Sequence, residues 1–140
     1  GEKYLDKYFK TIKDSLKHNG FAAVQGITIK DELFDRYRTS EDFIQKYIFP
    51  GGFLPSLDQI KKLTKKNNLN LEKVNSYSED YAKTLFTWKK NFFVTWDNIL
   101  PLGFDDYFKR MWEFYLSYCE AGFKAKNIDL IQFSMSNRQS

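Results

Sequence analysis

Residues 21–29 read Phe-Ala-Ala-Val-Gln-Gly-Ile-Thr-Ile, a nearly unbroken apolar and β-branched run. Such a run, too short for a buried helix, predicts a strand covered on both faces, as in a parallel sheet. Gln25 is its one polar exception. An interior parallel strand needs neighbours on both edges, so the chain has to supply or borrow more sheet. Two further strands are expected. Residues 69–76 alternate Leu69, Leu71 and Lys73 against polar neighbours, and residues 128–135 set Ile131 and Phe133 opposite to Leu130.

Between these runs the period changes to that of helices. Tyr4, Leu5, Tyr8, Phe9, Ile12 and Leu16 recur at helical spacing over 3–18, and Asn19-Gly20 supplies the stop, with glycine expected in the left-handed turn. No Ser, Thr, Asp or Asn cap precedes that helix, and the expectation is that the chain was cut there. A short helix over 39–47 is predicted to open at Thr39 or Ser40. Ile48 to Pro55 is a loop with two prolines and a Gly-Gly pair, and Ser56-Leu-Asp-Gln59 is a capping box starting a helix that runs to 66. Helices are expected over 79–98, with Tyr81, Leu85, Trp88, Phe92 and Trp96 along one stripe, and over 104–123, with Pro101 and Gly103 between them. The order of elements indicates an α/β fold of about three strands with flanking helices. That sheet is narrow, and no internal repeat is present.

At 140 residues the chain is one ordinary domain, 42% hydrophobic and 29% charged, in the range of globular proteins. Aromatics reach 19%, enough to fill a thick core or to line an apolar cavity. The net charge of +4 is a mild excess, with Lys61, Lys62, Lys65 and Lys66 clustered on one segment. A solvated helix face is the favoured reading of that cluster, and contact with anionic lipid headgroups is the functional alternative. No nucleic-acid-binding motif accompanies the charge, so nucleic acid is not expected as a partner. Cys119 is the single cysteine, which rules out an intrachain disulfide and fits a reducing compartment. No apolar run approaches the ~20 residues of a membrane span. The expectation is a cytoplasmic protein that meets membranes from the surface.

Self-contained catalytic sets are missing. His18 is the only histidine and sits beside a helix stop, where it reads as a solvent-facing or C-terminal cation rather than a base. One His and one Cys exclude a Cys/His metal cluster and argue against a Ser-His-Asp triad. Cys119 lies on an apolar helix stripe, as a buried inert thiol would. No Gly-x-Gly-x-x-Gly occurs, and Gly51-Gly52 does not follow a strand as a phosphate loop does.

Three segments point elsewhere: Ile44-Gln-Lys-Tyr-Ile-Phe-Pro-Gly-Gly-Phe-Leu-Pro-Ser56, Asp80-Tyr-Ala-Lys-Thr-Leu-Phe-Thr-Trp88 and Lys109-Arg-Met-Trp-Glu-Phe-Tyr-Leu-Ser-Tyr-Cys-Glu-Ala-Gly-Phe123. Together they resemble the C-terminal half of the cyclopropane-fatty-acid synthase family, S-adenosylmethionine-dependent methyltransferases that act on unsaturated acyl chains. The resemblance covers about residues 1–135. It implies that residues 1–140 are the C-terminal part of a single class I, Rossmann-like methyltransferase domain whose N-terminal, cofactor-binding half is absent. It also implies an antiparallel last strand and a fragment inactive by itself. By the same resemblance the methyl group passes from the sulfonium to a cis double bond of a phospholipid acyl chain. A bound bicarbonate ion then takes a proton and a cyclopropane ring closes.

Site residues carry over position by position. Gln25 falls where many members have His, Ile27 at a backbone contact, and Tyr81 at the tyrosine that holds the anion. A hydroxyl and a backbone N–H are donors suited to a small oxyanion. A glutamine amide cannot relay a proton as imidazole can, which leaves methyl- or methylene-branched products open. Phe49, Gly51, Gly52, Phe53 and Leu54 on the loop, with Leu85 and Trp88 on the following helix, are the candidate lining of an acyl tunnel, the glycines allowing lid-like movement. Each also has a plain structural reading as core or strand residue. Two non-enzymatic readings stand beside this one. The chain would be a lipid- or partner-binding module without catalysis, or would self-associate into a homo-oligomer through exposed sheet edges.

Overall fold

Three strands form one sheet in the order β1-β3-β2: β1 is Phe21–Ile29, β2 Asn70–Ser76 and β3 Ile128–Ser136. This computed structural model describes residues 1–138. The central strand β3 runs antiparallel to both neighbours. The antiparallel last strand is therefore as expected, but the first reading of β1 is corrected. Among the described residues it is antiparallel to β3 along its length, with one parallel bridge from Ile29 to Ser56, and Phe21, Ala23 and Gln25 are exposed on one face. Small Ala and Gly residues made the run look more apolar than its burial requires.

The described residues divide into two units, 1–77 with 128–138, and 78–127. In the first, helices α1 (Leu5–Ser15) and α3 (Leu57–Lys66) cover one face of the sheet. Phe9 and Ile60 meet Ile131, Phe133 and Met135 of β3, with Ala22 and Val24 of β1 and Leu71 and Val74 of β2 around them. The alternation of residues 131, 133 and 135 sends every second side chain into this core, as strand geometry dictates.

Two helix ends differ from expectation. After α1 the left-handed residue is Asn19, with φ 59°, rather than Gly20. Gly20 answers a different need: a Cβ there would lie 2.9 Å from the Lys17 carbonyl oxygen, to which its own N–H donates. The helix expected over 39–47 is replaced by α2, Asp31–Arg38, followed by a π-helical turn at Ile44–Ile48. Thr39 and Ser40 close a helix here instead of opening one, since both hydroxyls donate to the Arg36 carbonyl. The true cap is Asp42, whose carboxylate accepts from the Gln45 N–H at 2.9 Å while Gln45 Oε1 accepts from the Asp42 N–H at 3.0 Å. The box at Ser56 forms by half: Ser56 Oγ accepts from the Gln59 N–H at 3.2 Å, but Gln59 Oε1 is buried without a hydrogen-bond partner.

The second unit is helical: α4 (Ser78–Val94), the short α5 (Trp96–Ile99) and α6 (Asp106–Lys124). The single helix expected over 79–98 is broken at Thr95, whose hydroxyl back-bonds to the Asn91 carbonyl at 2.8 Å. Asp105 caps α6, accepting from the Phe108 N–H at 2.8 Å. Ser78 Oγ donates to the Phe123 carbonyl at 2.7 Å, tying the start of α4 to the end of α6. Phe104, just before α6, and Phe108, Trp112 and Tyr115 on it follow one another at ring separations of 4.5, 5.5 and 4.9 Å. Among the described residues no helix is long and apolar enough to cross a membrane.

Candidate functional site

Gln25 sits on the open face of the sheet, opposite Gln132 of β3, which in turn faces Asn75 of β2. Opposed residues of an antiparallel pair point to one side, so three amides form a rung across all three strands. Gln132 Nε2 donates to Gln25 Oε1 at 2.9 Å. That bond occupies the acceptor end of Gln25 and leaves its own amide N–H groups for another acceptor. Ile27 lies one rung further along, opposite Leu130, and is half-buried. Gln132 and Asn75 were not singled out from the sequence. Only the strand register reveals that they share a rung with Gln25.

The loop of the first unit is held rather than loose. Phe53 packs edge-on against Phe34 at 5.9 Å and tilted against Tyr37 at 6.0 Å. The buried Tyr37 hydroxyl oxygen accepts from the Leu54 N–H at 3.0 Å, and burial pushes its pKa up, keeping the phenol neutral. Gln45 Nε2 donates to the Gly52 carbonyl at 3.2 Å, and the Pro55 carbonyl accepts from the Ile29 N–H at 3.1 Å. Gly51 takes φ 77°, and a Cβ on Gly52 would meet the Phe49 carbonyl oxygen at 2.8 Å. Phe49 is 56% exposed. Phe34 and Tyr37, which organise this loop, belong to α2, the helix that the sequence reading placed too late.

The remaining candidates are in the helical unit. Tyr81 packs edge-on against Phe123 at 4.9 Å and Trp88 at 6.0 Å. Burial first, and the neighbouring Cys119 second, raise the pKa of its hydroxyl, which therefore stays an O–H donor at neutral pH. Leu85 is fully buried in this unit, whereas Trp88 is 48% exposed. Cys119 is half-buried, less enclosed than its helix stripe suggested. Glu120 is a buried carboxylate that the sequence reading passed over. Lys124 Nζ lies 2.5 Å from one of its oxygens and Lys89 Nζ 3.2 Å from the other. Its lysine partners, Lys124 above all, hold its carboxyl below the usual range despite burial.

These candidates offer neutral hydrogen-bond donors and aromatic surface. Among the described residues no group of His, Cys, Asp and Glu could hold a metal ion. Nor do the strand-to-helix junctions at 29–31 and 76–78 carry a glycine, so neither provides the close backbone approach of a nucleoside-binding turn.

Comparison with known proteins supplies the rest. The chain is 37% identical over 136 residues to the tuberculostearic acid methyltransferase UfaA1 of Mycobacterium tuberculosis, covering 96% of this chain and 32% of that one. It is 32% identical over 136 residues to the cyclopropane-fatty-acyl-phospholipid synthase of Escherichia coli K12, covering 97% of this chain and 34% of the relative. The chain thus spans about a third of the length of these curated relatives. In structure it is similar to the mycolic acid cyclopropane synthase CmaA1, solved with SAH and CTAB, with a TM-score of 0.86 and 26% identity over 97% of this chain and 50% of that one. The α/β arrangement is accordingly that of about half of a methyltransferase chain. The family model described as mycolic acid cyclopropane synthetase matches residues 1–133, and the chain belongs to that family.

Proposed function

We propose that the chain is the C-terminal part of a methyltransferase that alkylates a cis double bond in unsaturated phospholipid acyl chains and closes a cyclopropane ring. The observation that carries this reading is the family match over residues 1–133. The cofactor is S-adenosylmethionine, which supplies the methyl group. CmaA1, solved with SAH, supports that choice. The junctions at 29–31 and 76–78 do not fit a nucleoside, so we place the cofactor's site outside these 140 residues and expect the chain alone to be inactive.

Addition of a methyl cation to an alkene leaves a carbocation, and closing the ring releases one proton. None of the assigned groups takes that proton near neutral pH. The Gln25 amide is not basic, Ile27 offers only its backbone, and the Tyr81 phenol stays protonated. We propose as that base a bicarbonate ion, the group that the family resemblance implies. Gln25 and Tyr81 are its proposed donors, each a neutral group that does not compete for the proton of an oxyanion. Phe49, Phe53 and Leu54 of the loop, and Leu85 and Trp88 of α4, are the proposed contacts of the acyl chain. We place the protein in the cytoplasm, peripheral to the membrane that holds its substrate.

A second reading is favoured by one comparison. The relative at 37% identity is named a methyltransferase, whereas the cyclopropane synthase stands at 32%. With glutamine at position 25, a methyl- or methylene-branched chain is the alternative product. The test is full-length gene product incubated with methyl-labelled S-adenosylmethionine and vesicles of unsaturated phospholipid. The ring, the methyl-branched alkene and the methylene branch all add one CH2, so proton NMR decides between ring protons and vinylic ones. Absence of label in the acyl chains sinks both readings.

A further inference from the structure

We propose that the outward face of α1 and α3 is a docking surface for an anionic lipid bilayer. It deepens the functional reading by naming the surface that meets the substrate's membrane, yet it is measured without cofactor or turnover. The two readings therefore fail separately.

The helices lie side by side. Asp6 accepts from Lys66 Nζ at 2.8 Å and from Asn67 Nδ2 at 3.1 Å, and Lys13 Nζ donates to the Asn68 carbonyl at 2.9 Å. Both turn their apolar sides, Phe9 and Ile12 on α1 and Leu57 and Ile60 on α3, into the sheet core. Their opposite sides face out together. Segments 1–20 and 56–68 carry nine lysines against four acids, whereas the whole chain has 22 basic and 18 acidic residues. This one helical layer holds more than the net charge of the protein.

Some of that charge is internally matched: Lys66 pairs with Asp6 at 2.8 Å and Lys62 with Asp58 at 2.7 Å. Lys7, Lys10, Lys61 and Lys65 are exposed and, among the described residues, have no carboxylate within 4.0 Å. The acids of α2, Asp31 and Asp35, act on Lys62 and bound the patch on that side. Beside the lysines, Tyr4 and Tyr8 stand one helical turn apart, 57% and 47% exposed. A tyrosine ring with a polar tip suits the headgroup level of a bilayer, and lysines beside it gain from the negative surface potential. Neither segment contains an arginine. Bidentate phosphate recognition favours that residue, so the diffuse lysine charge fits a headgroup layer better than a nucleic acid.

The experiment is co-sedimentation of the chain with phosphatidylcholine vesicles, with and without phosphatidylglycerol, at about 50 mM and about 500 mM salt. Binding is expected with the anionic vesicles only and is lost at high salt. The K7Q/K10Q/K61Q/K65Q variant should bind on the order of a hundredfold more weakly. The control K73Q/K83Q/K90Q/K126Q, which removes as much charge from other exposed positions, should bind about as the parent does. The Tyr4→Ala/Tyr8→Ala variant should weaken binding to the anionic vesicles several-fold at the lower salt concentration. Circular dichroism checks that each variant is folded. Equal binding to neutral vesicles, equal loss in the control variant, or tighter binding to a DNA duplex than to vesicles overturns the proposal.

Discussion

Gln132 donates its amide N–H to Oε1 of Gln25 at 2.9 Å, across a directly opposed rung of the sheet. The bond fixes which end of the Gln25 amide is left to donate. Because the pair is exposed, Gln132→Leu should cost less than about 1 kcal/mol in a urea titration. If Gln25 orients the base as proposed, the same change in the full-length protein frees its amide to rotate. We expect kcat to fall about tenfold with KM for the lipid little changed, since the loss falls on orientation rather than on acyl binding. A fall in KM affinity alone would place Gln132 in lipid contact instead.

Glu120 gives the pH prediction. Its folded pKa is depressed by Lys124 and Lys89, so its contribution to stability is fully present above the ordinary glutamate value of 4.5 and is lost as pH falls through the lower folded value. The urea midpoint of the parent should therefore drop on acidification below about pH 4.5 more steeply than that of Glu120→Gln. At neutral pH that variant should be about 1–3 kcal/mol less stable, because a buried charge-assisted pair becomes a neutral one. Identical acid limbs for the two proteins would remove Glu120 from the account.

Much of this was legible in advance, and the failures have physical causes. Strand β1 and the Ser56 start of α3 were visible because periodicity and cap chemistry agreed there. The α2 helix was missed because Thr39 and Ser40 look like openers, and only their bonds back to Arg36 show them closing. Gln25 came forward through family resemblance alone. Its partner Gln132 lies 107 residues away, and strand register is a tertiary property that no local pattern records. The burial of Glu120 was hidden for a similar reason, since Lys89 approaches from another helix.

Ser56 tests the cap. It is buried, and its Oγ accepts from the Gln59 N–H, while the next orphan donor, the Asp58 N–H, goes to Asp31 Oδ1 at 3.0 Å. Ser56→Ala should cost about 1 kcal/mol, and Ser56→Asp should not restore it, because its carboxylate would face Asp31, which Ser56 hydrogen-bonds. Chemical denaturation reads both. A neutral Ser56→Ala would mean that Asp31 alone satisfies the helix start.

Tyr37, Gly51 and Gly52 each test the loop differently. Tyr37→Phe keeps the ring packing on Phe53 but removes the acceptor of the Leu54 N–H. It should cost about 1–2 kcal/mol and speed hydrogen exchange at Leu54. Gly52→Ala forces a Cβ to within 2.8 Å of the Phe49 carbonyl oxygen, a backbone atom that can yield only if the whole turn shifts. Gly51→Ala meets open space and pays only for its φ of 77°, about 1–2 kcal/mol. If the loop lines the acyl chain, the two alanine variants separate in the full-length enzyme. Gly52→Ala displaces Phe49 and raises KM for the lipid several-fold, and Gly51→Ala lowers stability with KM unchanged. Equal KM in both variants would assign the loop to folding alone.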